Sequence, residues 1–148
     1  MMAARVRLLL VTLWAGSLWT VGYLVAPTLF ATLPEPMQAG AIVGTLLRSE
    51  AWLSMACAGA LLALFGRVGE LDAKRRRGLT LLVLAMLACT LVLYFGVQPI
   101  MAELRAAAGP GGLRGSPQAG RFGMWHAISQ LLYVIESMLA GVLIVRNA

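Results

Sequence analysis

Four long apolar stretches hold most of this chain: Leu8–Pro34, Ala51–Gly66, Gly78–Ala102 and Phe122–Val145. Only the last contains a charged residue, Glu136. A bilayer crossing needs about 20 mostly apolar residues. Inside hydrocarbon every backbone N–H and C=O must be paired within the segment or within a closed barrel. Uninterrupted runs of this length, without strand-like alternation, therefore specify helices. The chain is 60% hydrophobic and 12% charged, whereas a soluble domain carries about 25% charged residues. The expected fold is all-α: a polytopic membrane protein built as a four-transmembrane-helix antiparallel bundle, with a short interfacial helix before helix two. The spans are placed at about 6–31, 48–66, 78–98 and 122–145 of a single domain, 1–148. The connections are too short to hold a second domain.

The net charge of +6 is distributed as a topology signal. Arg5, Arg7, Arg67, Lys74, Arg75, Arg76, Arg77 and Arg146 lie at the two termini and in the middle connection, against Arg48, Arg105, Arg114 and Arg121 in the other two. By the positive-inside rule both termini and the Arg67–Arg77 loop belong in the cytoplasm of a multi-pass inner-membrane protein. Lys74-Arg75-Arg76-Arg77 directly precedes a span, so it orients the span and meets anionic lipid headgroups rather than nucleic acid. The first span has the basic start of a signal peptide, but its apolar run exceeds the usual h-region and has no clean cleavage site, so it is read as a retained helix. Cys57 and Cys89 fall inside spans with no metal-ligand spacing and are read as small packing residues.

Span four sets the functional question. It carries the only histidine, His126, and Glu136 near its middle. At roughly 100° per residue, His126, Gln130, Tyr133 and Ser137 fall within about 40° of one line. Ser129 and Glu136 flank that line. Unpaired polar groups in hydrocarbon cost several kcal/mol each, so the stripe must face spans one to three as a polar groove. Glu136 is too short to reach either surface and must be neutral, hydrogen-bonded or wetted by a cavity. Ser17, Thr20, Cys57 and Thr90 are its expected neighbours.

The other spans send residues to the outer side, where Pro27, Arg48, Glu50, Gln98, Pro99, Glu103 and Arg105 form a second cluster. Pro27 is expected to bend helix one and Pro99 to bend or stop helix three. Pro36 suits the first position of a helix, and Met37–Leu47 is an amphipathic lead-in. Arg48, Ser49 and Glu50 are expected at the outer headgroup level. Gly16 and Thr20 form a small-xxx-small pair that permits close helix approach. The stretch Ala106–Gly120 is glycine- and proline-rich and reads as a flexible loop.

Four motifs in order carry a family resemblance: Ala26-Pro27-Thr28-Leu29-Phe30, the run Ala39–Leu47, Gln98-Pro99-Ile100-Met101-Ala102-Glu103-Leu104-Arg105, and Phe122-Gly123-Met124-Trp125-His126-Ala127-Ile128-Ser129. Together they resemble the transmembrane protein 205-like family, a domain of unknown function. That resemblance covers nearly the whole chain and implies a four-helix membrane domain with no established reaction. The alanine-proline end of span one is more distantly similar to copper resistance protein D. From that family the chain departs by offering one histidine and no methionine pair in a ligand arrangement.

No nucleophile–base pair and no cofactor motif is present, so no catalytic role, cofactor or metal is assigned. Glu103, Glu50 and His126 could serve a metal only by meeting on the outer side, which is short of the usual ligand count. The expected function is a non-catalytic helix bundle whose outward-facing polar groove takes a small ligand, a lipid or a partner helix. The alternative is a small transporter, or its accessory subunit, handling a metal cation, a proton or an amphipathic compound. Expected partners are membrane lipid and a partner membrane protein or a second copy of the chain. Any inward path looks blind, because Ala140–Val145 is apolar.

Overall fold

The computed structural model describes residues 2–67 and 71–147. Four helices dominate: α1 (Met2–Thr32), α2 (Pro36–Arg67), α3 (Ala73–Ala107) and α4 (Ala119–Asn147). Each is long and apolar enough to cross a membrane. Each packs against its two neighbours around a ring, in the order α1, α2, α3, α4 and back to α1. Consecutive helices run antiparallel, so both described termini share one end of the bundle. The turn at 33–35 and the loop at 108–118 share the other, called the loop end below. Part of the Arg67–Arg77 connection, 68–70, lies outside the described residues.

Local sequence sets the helix ends. Leu33 is extended, as a residue before proline prefers, and Pro36 opens α2, where its missing N–H costs nothing. Asp72 caps α3 by accepting from Lys74 N at 2.7 Å. Arg75 Nη2 donates to the Arg146 carbonyl at 3.0 Å and so satisfies a carbonyl at the end of α4. Gly109, Gly112 and Gly115 of the loop all have positive φ, a backbone region that only glycine enters freely.

Three details sharpen or correct the sequence reading. The lead-in at 37–47 runs into span two without a break, as the first turns of an uninterrupted α2. Of the bend or stop expected at Pro99, the stop does not occur; α1 and α3 both continue through their prolines, and each takes one π-helical stretch just before the Xaa-Pro step, Thr20–Val25 and Val92–Val97. In both, the residue preceding proline donates five positions back, Ala26 to Val21 and Gln98 to Leu93. Proline lacks an N–H and crowds the carbonyl four residues behind it, and a shift to five-residue spacing re-pairs the ladder there. Finally, Gly16 has no neighbouring side chain or helix within 4 Å of where a Cβ would stand, so it is not a close-approach point within the bundle.

The core lies toward the termini end. Trp14, Leu61, Phe65, Leu79, Val83, Met86 and Leu143 are fully buried there. The outward faces are apolar, with Leu9, Leu131, Met138 and Val145 each more than 60% exposed. Apolar surface on that scale belongs against lipid rather than water. The chain has the architecture of a multi-pass helical membrane protein. Arg7, one of the N-terminal charges of the topology signal, is buried at the termini end.

Candidate functional site

Above that core the helices part around a cavity of about 570 Å³. Its wall takes residues from all four helices: Leu18 to Phe30 of α1, Val43 to Ser54 of α2, Thr90 to Gln98 of α3 and His126 to Glu136 of α4. The deep ends of these segments, Leu18, Ser54, Thr90 and Glu136, form the floor. Phe30, Val43, Gln98 and His126 lie toward the loop end. The cavity therefore runs from the middle of the bundle toward the loops, with a depth along α1 of about 18 Å at 1.5 Å per residue.

Two buried glutamates stand at the deep part of this cavity. Glu136 is 2% exposed, and its Oε1 accepts from Thr90 Oγ1 at 2.6 Å. Glu50 is 7% exposed, and its Oε1 accepts from Ser17 Oγ at 3.1 Å and Ser54 Oγ at 3.5 Å. Ser54 in turn accepts from the indole of Trp14 at 2.8 Å. A buried polar group without a partner costs about 1–3 kcal/mol, so each hydroxyl has a clear energetic role. The arrangement repeats by helix pair. A hydroxyl on α1 or α3, just before the π-helical stretch, meets a glutamate on α2 or α4.

Glu50 corrects the expectation most. It is buried, whereas Arg48 and Ser49 beside it on the same helix are exposed. It lies near the midpoint of α2, turned inward against Ser17 and Ser54. The expected outer cluster is accordingly split. Pro27, Glu50 and Gln98 line the cavity, while Arg48, Pro99 and Glu103 are absent from its wall and Arg105 sits elsewhere. The Arg105 guanidinium lies 5.5 Å from the centre of the Phe122 ring, which stacks on His126 with centroids 6.0 Å apart.

Of the stripe on α4, His126, Ser129, Gln130, Tyr133 and Glu136 line the cavity and Ser137 does not. At the depth of Ser137 the corresponding direction is filled by Trp19, whose indole N–H reaches the Ser137 carbonyl at 3.4 Å. Near the loop end Gln130 Nε2 lies 3.1 Å from His126 Nε2, and Ser129 Oγ donates to the His126 carbonyl at 2.7 Å. Among the described residues no three of His, Cys, Asp and Glu come together as a metal-ligand set. Glu103, Glu50 and His126 do not meet.

Tyr133 has a role that spacing alone did not reveal. Its hydroxyl donates to the Leu18 carbonyl at 2.6 Å, which an unbroken α-helix would pair with the N–H of Gly22. A Cβ at Gly22 would overlap the Tyr133 ring. Glycine there lets the ring press against α1, and a side-chain hydroxyl enters the helix ladder at the start of the π-helical stretch, a recognised cause of such distortions. Tyr23 completes the contact, edge-to-face with Tyr133 at 6.2 Å.

The sequence of residues 9–110 matches a family described as a domain of unknown function, DUF4149. The chain belongs to this family. The match carries neither the transmembrane protein 205-like nor the copper resistance protein D-like resemblance. It includes Ser17, Glu50, Thr90 and both Xaa-Pro steps, and it ends before α4 begins, so His126 and Glu136 lie beyond it. No curated protein and no solved structure matches the chain.

Proposed function

We propose that this member of the DUF4149 family is a non-catalytic binding protein of the inner membrane, whose cavity takes an amphipathic small molecule from the loop side. The observation that carries this reading is the cavity itself: a concave, largely apolar space walled by all four helices, with a few convergent polar groups at its floor. Its volume, about 570 Å³, falls within the roughly 300–1,000 Å³ typical of small-molecule sites. The packed layer of Trp14, Phe65, Leu79, Met86 and Leu143 beneath it supports a blind site rather than a continuous path across the bundle. The asymmetry of basic residues supports cytoplasmic termini, which would open the cavity outward. Lipid is the surrounding partner, and the apolar outer faces leave room for a second copy or another membrane protein.

Photolabelling of the purified chain in lipid nanodiscs with an amphipathic aryl diazirine tests this reading. Label is expected on peptides carrying Val43, Leu47 and Val134, and is expected to fall in Ala51→Phe, which fills the cavity from α2. Labelling spread evenly over the lipid-facing surfaces and unchanged in Ala51→Phe would refute the cavity as a binding site.

A further inference from the structure

We infer that the molecule held in this cavity is a lipophilic organic cation, bound between Glu50 and Glu136 with tyrosine rings around it; the inference rests on the cavity reading above. Both carboxylates line the same cavity, and both are more than nine-tenths buried. Each accepts its hydrogen bonds at Oε1, and among the described residues no donor reaches Oε2 of either. Two acceptor atoms of buried side chains are thus left for whatever occupies the space. Among the described residues no lysine or arginine lines the cavity, and its histidine, His126, lies about 15 Å along α4 from Glu136, toward the loop end.

In a low-dielectric space a carboxyl without a counter-charge is costly to ionise and holds its proton instead. A cation between the two supplies the counter-charge that lets a carboxyl there ionise. The remaining wall selects its chemical class. Leu18, Ala26, Phe30, Val43, Leu47 and Leu93 offer apolar surface, which suits hydrocarbon or aromatic substituents and offers nothing to a hydrated ion. Tyr23, Tyr94 and Tyr133 also line the space, and aromatic faces attract ammonium-type and related cations. A metal ion would need four or more ligand atoms gathered at one point, and among the described residues no such group of three or more metal-binding side chains forms. The repeated hydroxyl–glutamate pairing places one carboxylate on α2 and one on α4, and both line the same cavity.

Equilibrium binding to the full chain in zwitterionic nanodiscs, with tetraphenylphosphonium and with neutral triphenylphosphine oxide as probes, decides the matter. Tetraphenylphosphonium is expected to bind saturably and at least about tenfold more tightly than the oxide. E50Q/E136Q is expected to erase that preference while leaving oxide binding in place. The wild-type comparison stands alone if the double variant does not fold. Saturable binding of both probes with equal affinity would overturn the cation inference and leave the cavity reading intact. Saturable binding of neither would overturn both. A preference for the cation that survives in a folded E50Q/E136Q would overturn the assignment to these carboxylates.

Discussion

Thr90 Oγ1 donates to Glu136 Oε1 over 2.6 Å, and this bond joins α3 to α4 at the cavity floor. Thr90→Val keeps the branched shape and removes the donor. A loss of about 1–3 kcal/mol is expected, the usual cost of stranding a buried acceptor. It should appear as a lower thermal midpoint in detergent, with Thr90→Ser close to wild type. A Thr90→Val midpoint equal to wild type would mean that the bond contributes nothing.

Tyr133 and Gly22 offer a second test, because a Cβ at Gly22 would overlap the Tyr133 ring. Gly22→Ala is expected to destabilise the protein by about 1–3 kcal/mol, the range for overpacking, despite the better helix propensity of alanine. Combined with Tyr133→Leu, the cost should fall well below the sum of the two single changes, since contacting residues are non-additive. Strict additivity in unfolding midpoints would argue that the two do not touch.

What could be read in advance divides along physical lines. The four spans were legible because hydropathy over about 20 residues is a strong signal. His126, Gln130, Tyr133 and Glu136 were legible as candidates because they interrupt an otherwise apolar helix; all four line the cavity, His126 and Gln130 exposed and Glu136 buried. Thr90 was among the neighbours expected for Glu136. Glu50 was read as a surface group because Arg48 and Ser49 beside it resemble a helix end, and because a span placed at about 48–66 puts Glu50 at its outer edge. The mixture of Ala, Gly, Ile, Val and Leu at 39–47 is apolar enough to extend α2 back to Pro36. The π-helical stretches were not legible as such. The prolines marked their positions, but proline alone does not distinguish a kink, a stop or a shift to five-residue spacing. Such a shift also turns all following residues by about 100°, so a stripe extrapolated across Thr20–Val25 or Val92–Val97 loses its phase.

Orientation is a separate expectation, drawn from the basic residues rather than from the cavity. Ser116 lies in the loop between α3 and α4. In a chain freed of Cys57 and Cys89 by alanine substitution, Ser116→Cys should react with a membrane-impermeant maleimide added to intact cells. Reaction only after lysis would reverse the assigned topology without touching the fold.

The central claim is that the space above Glu136 opens toward the loops and is closed toward the termini by the Trp14–Phe65–Leu143 core. Its most direct measurement is the sidedness of thiol modification at Glu136→Cys, in the same cysteine-free background, with a small cationic membrane-impermeant thiosulfonate. Vesicles of both orientations are compared, with Ser116→Cys as the reference for the loop side. The account expects Glu136→Cys to react from the side on which Ser116→Cys reacts, and from that side alone. Reaction from the opposite side, or from neither, would contradict it.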